Sequence, residues 1–259
     1  MARKYRFFTT GLNNVSDFTN EVTLSAAKEN EILEQLARIL RAKPGDNVVL
    51  IPPGQKTKYF EFHYEVLSAH KKGALLRLRE KVANNNELKF KLGLILCMPN
   101  KPDKLSFILQ KAVELGAYGI TLVEGDFSQM KHAVKADRLR KIVKEAAEQS
   151  ERAFIPDVNI FGKLTDYLST GPGIRPLHNY IVAMERTGSA PLPELIKGLN
   201  GPLQVIIGPE GGFSGSEKEY FKKHGFKTYT LGDRILRMET AAVLRLGIIS
   251  LYHRLPEAP

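Results

Sequence analysis

Residues 203–214 read Leu-Gln-Val-Ile-Ile-Gly-Pro-Glu-Gly-Gly-Phe-Ser, and the second half of the chain is organised around them. The β-branched run at 205–207 has no polar interruption, which is typical of a strand buried on both faces. Three glycines fall within residues 208–212, so the backbone directly after the strand can turn tightly and approach a ligand closely. Ser214 and Glu217 form an S-x-x-E capping box, which predicts that a helix begins there.

A second strand and glycine loop follow this one. Residues 227–231 predict a strand that ends at Gly232, and residues 232–236 lead into a long final helix. Open α/β proteins bind ligands at the carboxyl ends of the strands of one sheet, so the two loops are a candidate binding site. Their spacing alone favours two structural turns, because the chain has neither G-x-x-x-x-G-K-[ST] nor G-x-G-x-x-G.

The composition indicates a basic globular protein. The chain has 259 residues, 43% of them hydrophobic, and a formal net charge of +10. The length allows one large domain or two ordinary ones, and the hydrophobic content excludes a disordered chain. A single cysteine, no apolar amino-terminal segment and no apolar run near the ~18 residues of a membrane span predict a cytoplasmic protein. The basic excess favours a nucleic-acid partner over a protein that is merely basic.

The first 83 residues predict a small β-barrel. Residues 46–51, 59–67 and 74–79 alternate or cluster apolar side chains between turn signals, as short strands do. One helix interrupts them, and Ser25 can cap its start. The apolar face of this helix holds Ile32, Leu33, Leu36 and Leu40.

The polar segment 83–87 shows neither the apolar periodicity of a helix nor that of a strand. It predicts the boundary between a domain at 1–83 and a domain at 88–259. After it, apolar strands alternate with amphipathic helices. Strands are predicted near 92–98, 119–123, 179–184 and 203–207, and helices after Pro102, around 139–146 and at 192–199. This alternation predicts an α/β fold whose mainly parallel sheet is covered by helices.

Four blocks of the sequence resemble the RsmE family, the 16S ribosomal RNA uracil-N3 methyltransferases of the SPOUT superfamily. The blocks, in the family's order, are Lys111-Ala-Val-Glu-Leu-Gly116, Glu145-Ala-Ala-Glu-Gln-Ser-Glu-Arg152, Ile207-Gly-Pro-Glu-Gly-Gly-Phe213 and Leu231-Gly-Asp-Arg-Ile-Leu-Arg-Met-Glu-Thr-Ala241. The resemblance implies a trefoil knot in the parallel sheet and a PUA-like, RNA-binding first domain. It also implies a homodimer that transfers a methyl group from S-adenosylmethionine to N3 of a uridine in 16S ribosomal RNA, in the assembled small subunit.

The resemblance further implies that S-adenosylmethionine is held mainly by backbone groups of three segments. These contribute Met184, Gly208, Glu210, Gly211, Gly212, Leu231, Gly232, Ile235 and Leu236. Glycines expose N–H and C=O groups to the adenine and ribose, while the apolar side chains can sandwich the ring. For the leucines and Ile235, ordinary core packing is the alternative. Glu210 either provides a negative charge that attracts the positive sulfonium or caps a backbone turn.

Methylation at uracil N3 requires loss of a proton, which leaves negative charge on N3, O2 and O4. Guanidinium groups fixed beside these atoms favour the anion. The family has arginines at the positions of Arg234, Arg237 and Arg6, and Arg234 is the first candidate. The alternatives are a phosphate contact for Arg6 and a helix-terminal salt bridge for Arg237. The predicted RNA contacts are Arg3, Lys4, Arg6 and Arg41.

This chemistry requires no metal, since the leaving group departs neutral, and the six histidines lack metal-ligand spacing. Cys97 lies in an apolar strand and is predicted to be a core residue rather than a nucleophile. Two rival functions stay open. A nicotinamide-dependent oxidoreductase is disfavoured by the missing G-x-G-x-x-G motif, and a non-catalytic RNA-binding module by the intact glycine loops.

Overall fold

The computed structural model describes residues 4–12, 15–53, 58–129, 135–170, 178–184, 190–197, 199 and 201–254. The chain forms two compact units. The first comprises Met1–Glu87 and Ala147–Ile155, and the second Leu88–Ala146 and Pro156–Pro259. The division after Glu87 falls at the end of the polar segment where the sequence predicts a boundary. The sequence did not predict that 147–155 joins the first unit.

The first unit forms, in its described residues, a five-stranded sheet, an α-helix and a 3-10 turn at Val15–Asp17. Its elements are β1 (Lys4–Phe8), β2 (Glu21–Ser25), α1 (Ala26–Glu34) with a π-helical turn at Gln35–Ile39, β3 (Asn47–Ile51), β4 (Phe60–His70) and β5 (Gly73–Ala83). The strand order is β1-β3-β4-β5-β2. All pairs are antiparallel except β1 with β3. The strands predicted at 46–51, 59–67 and 74–79 and the predicted helix are found, whereas β1 and β2 were not predicted, and closure of the sheet into a barrel stays a prediction.

The helix packs into the first core through the apolar face that its sequence predicts. Ile32, Leu33 and Leu36 are buried together with Leu50 and Tyr64 of the sheet. Ser25 precedes α1 in an extended conformation, but its side chain makes no capping hydrogen bond. Burial of apolar side chains therefore fixes this helix more than its cap does.

A buried ion pair attaches the segment Ala147–Ile155 to the rest of the first unit. Arg152 Nε donates to both carboxylate oxygens of Glu87 at 2.9 Å, and Ala153 N–H donates to Glu87 Oε1 at 2.8 Å. Glu148 Oε1 accepts from the backbone N–H of Phe8 at 2.9 Å. These contacts join residues more than 60 positions apart in the sequence.

The second unit contains a seven-stranded sheet. Its strands are β6 (Leu92–Cys97), β7 (Gly119–Glu124), β8 (Asp157–Lys163), β9 (Asn179–Ala183), β10 (Ala190–Pro191), β11 (Leu203–Ile207) and β12 (Lys227–Thr230). Its helices are α2 (Pro102–Glu114), α3 (Ala136–Gln149, whose last turn belongs to the first unit), α4 (Leu164–Ser169), α5 (Leu192–Ile196), α6 (Gly215–Lys223) and α7 (Met238–Tyr252). The strand order is β10-β12-β9-β11-β6-β7-β8, and every pair is parallel.

The central strands explain the apolar runs of the sequence. Every residue of β6 is buried, as are four of the five residues in each of β9 and β11. This confirms the prediction of strands covered on both faces. The trefoil knot stays a prediction. No helix among the described residues is long and apolar enough to cross a membrane.

Local signals place the helices around the carboxyl ends of these strands. The predicted capping box is present, with Ser214 Oγ accepting from Glu217 N–H at 3.2 Å and Ser214 N–H donating to Glu217 Oε2 at 2.8 Å. Helix α2 begins with Pro102 and is followed by Gly116 at a φ of 93°. Helices α2 and α6 therefore begin at the same end of the sheet, where β6 and β11 have their carboxyl ends.

Candidate active site

A cavity of about 810 Å³ lies at the carboxyl ends of the central strands. It is lined by the loops that follow β6, β9, β11 and β12 and by the start of α7. All the residues predicted to hold the methyl donor line it: Met184, Gly208, Glu210, Gly211, Gly212, Leu231, Gly232, Ile235 and Leu236. The structure thus brings the two glycine loops together, as the parallel-sheet rule led us to expect.

The first loop needs its glycines for steric reasons. A Cβ added at Gly208 would lie 2.9 Å from the ring of Phe213, and one at Gly211 would lie 2.9 Å from Cβ of Phe127. Gly212 has a φ of 74° and donates its N–H to Pro209 O at 2.9 Å, closing a tight turn. The backbone of this loop can therefore line the cavity without side chains in between.

The second loop is held by the side chain at the end of β12. Thr230 Oγ1 donates to Gly232 O at 3.0 Å and accepts from Gly232 N–H at 3.3 Å, while Gly232 adopts a φ of 103°. Ile235 is 59% exposed, so core packing does not explain this apolar residue. Leu231 and Leu236 are half-buried on the cavity wall.

Met184 directly follows β9 and links this strand to its neighbour β12. Its N–H donates to Tyr229 O at 3.1 Å, and its side chain packs against the aromatic cluster that contains Tyr180 and Phe226. The residue is half-buried and reaches the cavity from the end of β9. Its position is therefore fixed by both backbone and side-chain contacts.

Glu210 is the acidic residue among the described residues that line the cavity. Its Oε1 accepts from Lys104 Nζ at 2.9 Å, and both carboxylate oxygens accept from Asn100 N–H at 3.3 Å. Partial burial by itself raises the pKa of Glu210. The hydrogen bonds from Lys104 and from backbone N–H groups outweigh this effect and hold the pKa below its usual range. Glu210 thus carries a negative charge and binds the loop after β6 to the glycine loop.

A second carboxylate, that of Glu217, holds the end of the first glycine loop through hydrogen bonds. Glu217 is buried, and its two oxygens accept from Ser214 N–H at 2.8 Å and from Asp126 N–H at 3.0 Å. The Asp126 carboxylate accepts in turn from the hydroxyls of Ser214 and Ser216. These bonds tie the loop after β7 to the start of α6.

Arg234 and Arg237 both line the cavity and are exposed. Neither forms an ion pair with an acidic residue of the described part of the chain, so the helix-terminal salt bridge considered for Arg237 is not found there. Arg237 is the N-cap of α7 in an extended conformation. A third arginine, Arg245 of α7, is buried in the wall with its guanidinium 5.4 Å from the ring centre of Tyr229.

Arg6 lies elsewhere, in β1 of the first unit. It is buried in an ion pair with Glu61, and its Nη2 donates to Arg152 O at 3.2 Å. Glu61 also accepts from Asn84 Nδ2 at 3.2 Å. Arg6 is not among the residues lining the cavity, and its contacts are those of a structural group. Its predicted roles in catalysis and RNA binding therefore gain no support here.

The remaining predicted RNA contacts are only partly described. Arg3 and the side chain of Lys4 lie outside the described residues. Arg41 is exposed and has a φ of 50°, directly after the helical segment. Their role in RNA binding stays a prediction.

Cys97 is fully buried at the end of β6. Burial raises the pKa of its thiol far above the usual range, and the negative charge of Glu217 adds to this effect. The neutral thiol is therefore unsuited to nucleophilic attack. Among the described residues, His, Cys, Asp and Glu form no group that could hold a metal ion.

Several cavity residues were missed by reasoning from the sequence: Asn100, Lys101, Lys104, Lys218 and Arg245. The first three follow β6, which is hydrogen-bonded to β11. The rule that ligands bind at the carboxyl ends of neighbouring strands, applied to the strand at 92–98, would have found them.

Comparison with known proteins decides the family. Residues 86–250 match the family described as an RNA methyltransferase domain. The chain is 32% identical over 238 residues to the ribosomal RNA small subunit methyltransferase E of Bacillus subtilis, covering 85% of this chain and 87% of that one. The chain belongs to this family.

Two further RsmE proteins are similar over most of the chain. The Synechocystis protein of the same name is 32% identical over 88% of this chain and 72% of its own length. The crystal structure of the Neisseria gonorrhoeae protein, bound to S-adenosyl methionine, superposes with a TM-score of 0.82 at 26% identity, covering 96% of this chain and 98% of that one. The α/β architecture with an N-terminal antiparallel sheet and a C-terminal parallel sheet is thus that of the RsmE family.

Proposed function

We propose that this protein transfers a methyl group from S-adenosylmethionine to N3 of a uridine in 16S ribosomal RNA. The observation that carries the proposal is the meeting of two glycine loops at one cavity that also holds Arg234 and Arg237. RsmE relatives named as small-subunit ribosomal RNA methyltransferases, one of them crystallised with S-adenosyl methionine, support it.

The cavity fits such a donor in size and lining. Its volume of about 810 Å³ falls within the range of small-molecule sites. Gly208 and Gly211 leave no room for a Cβ, so backbone N–H and C=O groups form the surface there. The exposed Ile235 and the half-buried Leu231 and Leu236 offer apolar contact to a flat ring. When bound, the donor supplies a methyl group on a positively charged sulfonium.

The arginines of the second loop supply the electrostatic part of the reaction. Arg234 and Arg237 reach the cavity from the start of α7 without a described acidic partner. Their positive charges are therefore available to the oxygens of a uracil that loses its N3 proton. Arg245 is less suited to this role, because it is buried against the ring of Tyr229.

We further propose that the protein acts in the cytoplasm as a homodimer on the small ribosomal subunit. The final helix α7 is the candidate interface, because it exposes Leu244 by 42% and Leu251 by 61%. The two leucines are seven positions apart and therefore lie on one face of α7, where the proposed second subunit would cover them. Full activity of a diluted monomer would contradict a site shared between subunits.

The test separates chemistry from binding. Arg234→Ala is expected to lower methyl transfer by about 10²–10³-fold, the usual effect of removing one oxyanion-stabilising group, while donor and RNA binding are retained. Arg138→Ala, at an exposed position of α3 outside the cavity, is the matched control and should behave as the wild type. Unchanged transfer by Arg234→Ala, or calorimetric preference for NAD over S-adenosylmethionine, would contradict the proposal.

A further inference from the structure

The cavity carries far more positive than negative charge. Among the described residues, its basic lining residues are Lys101, Lys104, Lys218, Arg234, Arg237 and Arg245, against one acidic residue, Glu210. Glu210 is already neutralised by Lys104, whose Nζ lies 2.9 Å from its Oε1. Most of the positive charge is therefore left for something that enters the cavity.

Three helix N-termini add to this charge. Lys101 is the N-cap of α2, Arg237 is the N-cap of α7, and Gly212 and Phe213 come directly before Ser214, the N-cap of α6. All of these residues except Ser214 line the cavity. Because the backbone N–H groups of a helix start carry partial positive charge, each of these ends also favours an anion.

The proposed methyl donor does not match this charge. Its sulfonium and its ammonium group are positive, and only its carboxylate is negative, so one cation at most serves it. Further cations near the donor repel it. RNA carries a negative phosphate at every nucleotide and attracts lysine and arginine side chains. On the proposed function, the excess charge therefore serves the RNA.

The contacts of the cavity residues indicate which cations are available for phosphate. Lys104 is paired, Arg245 is buried, and the arginines of the second loop are assigned to the base. Lys101 and Lys218 remain. Both are exposed, and neither makes an ion pair with an acidic residue of the described ranges.

We propose that Lys101 and Lys218 bind phosphates of the RNA chain next to the target nucleotide and make no contact with the methyl donor. Lysine is a mobile point charge, which suits a phosphate contact that positions the chain without reading its sequence. The proposal rests on the proposed function and adds a substrate-binding surface formed by the starts of α2 and α6.

If this assignment is right, removing a lysine charge affects the affinity for RNA and the affinity for S-adenosylmethionine differently. Removing either lysine charge weakens RNA binding, because fewer counterions are released from the RNA. The same substitution leaves the affinity for S-adenosylmethionine unchanged or raises it, because one repelling charge is gone. A merely structural role would weaken both.

The experiment compares Lys101→Gln, Lys218→Gln and the double variant with Lys223→Gln. Lys223 is an exposed residue of the same helix as Lys218 but does not line the cavity. Binding of small ribosomal subunits from cells lacking the protein is measured at several salt concentrations. Each single cavity variant should reduce the slope of log K against log salt by roughly 0.7–1 and the double variant by about twice as much, whereas Lys223→Gln should not change it. Calorimetry in the same buffers gives the affinity for S-adenosylmethionine.

Four outcomes would overturn the inference: an unchanged salt slope in the double variant, an equal loss of slope in Lys223→Gln, weaker binding of both RNA and donor, or weaker donor binding with normal RNA binding. The last result would place a lysine on the donor's carboxylate. Failure of the proposed function is recognised separately, because the wild-type protein itself would then transfer no methyl group to 16S ribosomal RNA.

Discussion

Replacing Gly208 by alanine tests whether the loop after β11 must lack side chains in order to contact the donor through its backbone. The added Cβ would lie 2.9, 3.0 and 3.1 Å from three carbons of the Phe213 ring. Ordinary contact begins near 3.4 Å, so the ring or the loop has to move by about 0.5 Å (3.4 − 2.9). Phe213 is buried and packs edge-on against Phe221, with ring centres 4.9 Å apart, so the ring has little room to yield.

We expect Gly208→Ala to lower the free energy of unfolding by about 1–3 kcal/mol, the usual cost of overpacking a core. If the loop moves to accommodate the Cβ, its backbone contacts with the donor are displaced. A loss of about 1.4 kcal/mol of binding free energy raises the Kd for S-adenosylmethionine about tenfold. Urea denaturation and calorimetry measure the two effects. Gly215→Ala is the matched control, because a Cβ there meets nothing within 4 Å. Wild-type stability together with wild-type donor affinity in Gly208→Ala would refute the reasoning.

Three further predictions concern the supports of the site. Because the pKa of Glu210 is lowered in the folded protein, its stabilising effect is present above about pH 4.3, the ordinary value, and is lost as the pH falls through the folded value. The stability difference between wild type and Glu210→Gln in denaturant unfolding should therefore shrink in acid, and a difference that persists would count against the Lys104 ion pair. Ser214→Ala should lower stability by about 1 kcal/mol, because it removes the cap of α6, and an unchanged denaturation midpoint would show that the cap contributes nothing. Cys97→Ala should keep methyl transfer, since the thiol is buried and neutral, and loss of turnover with intact donor binding would disprove N3 chemistry.

Much of the second unit follows from local sequence signals. The apolar run at 205–207, the capping box at Ser214 and the glycines after β11 and β12 each predicted a feature that the structure contains. Because the carboxyl ends of parallel strands lie at the same end of a sheet, the two glycine loops after β11 and β12 were expected to meet, and the cavity itself was predictable. These features depend on residues close together in the chain.

The features that escaped prediction depend on distant residues. Glu210 accepts from Asn100 across 110 positions, so the loop after β6 joins the site only once the strand order is known. The same holds for Arg152, whose ion pair with Glu87 spans 65 positions. Strand β8 was missed for another reason. Its side chains are exposed except for Val158, so it shows neither a buried run nor an alternating pattern.

The most direct test of the central claim is nucleoside mass spectrometry of 16S ribosomal RNA after incubation with the wild-type protein and S-adenosylmethionine carrying a deuterated methyl group. The substrate is small subunits from cells lacking the protein. We predict that one uridine gains the label at N3 and that Arg234→Ala abolishes most of it. Label at C5 or on a ribose, or no label in RNA despite donor binding in the cavity, would contradict the account.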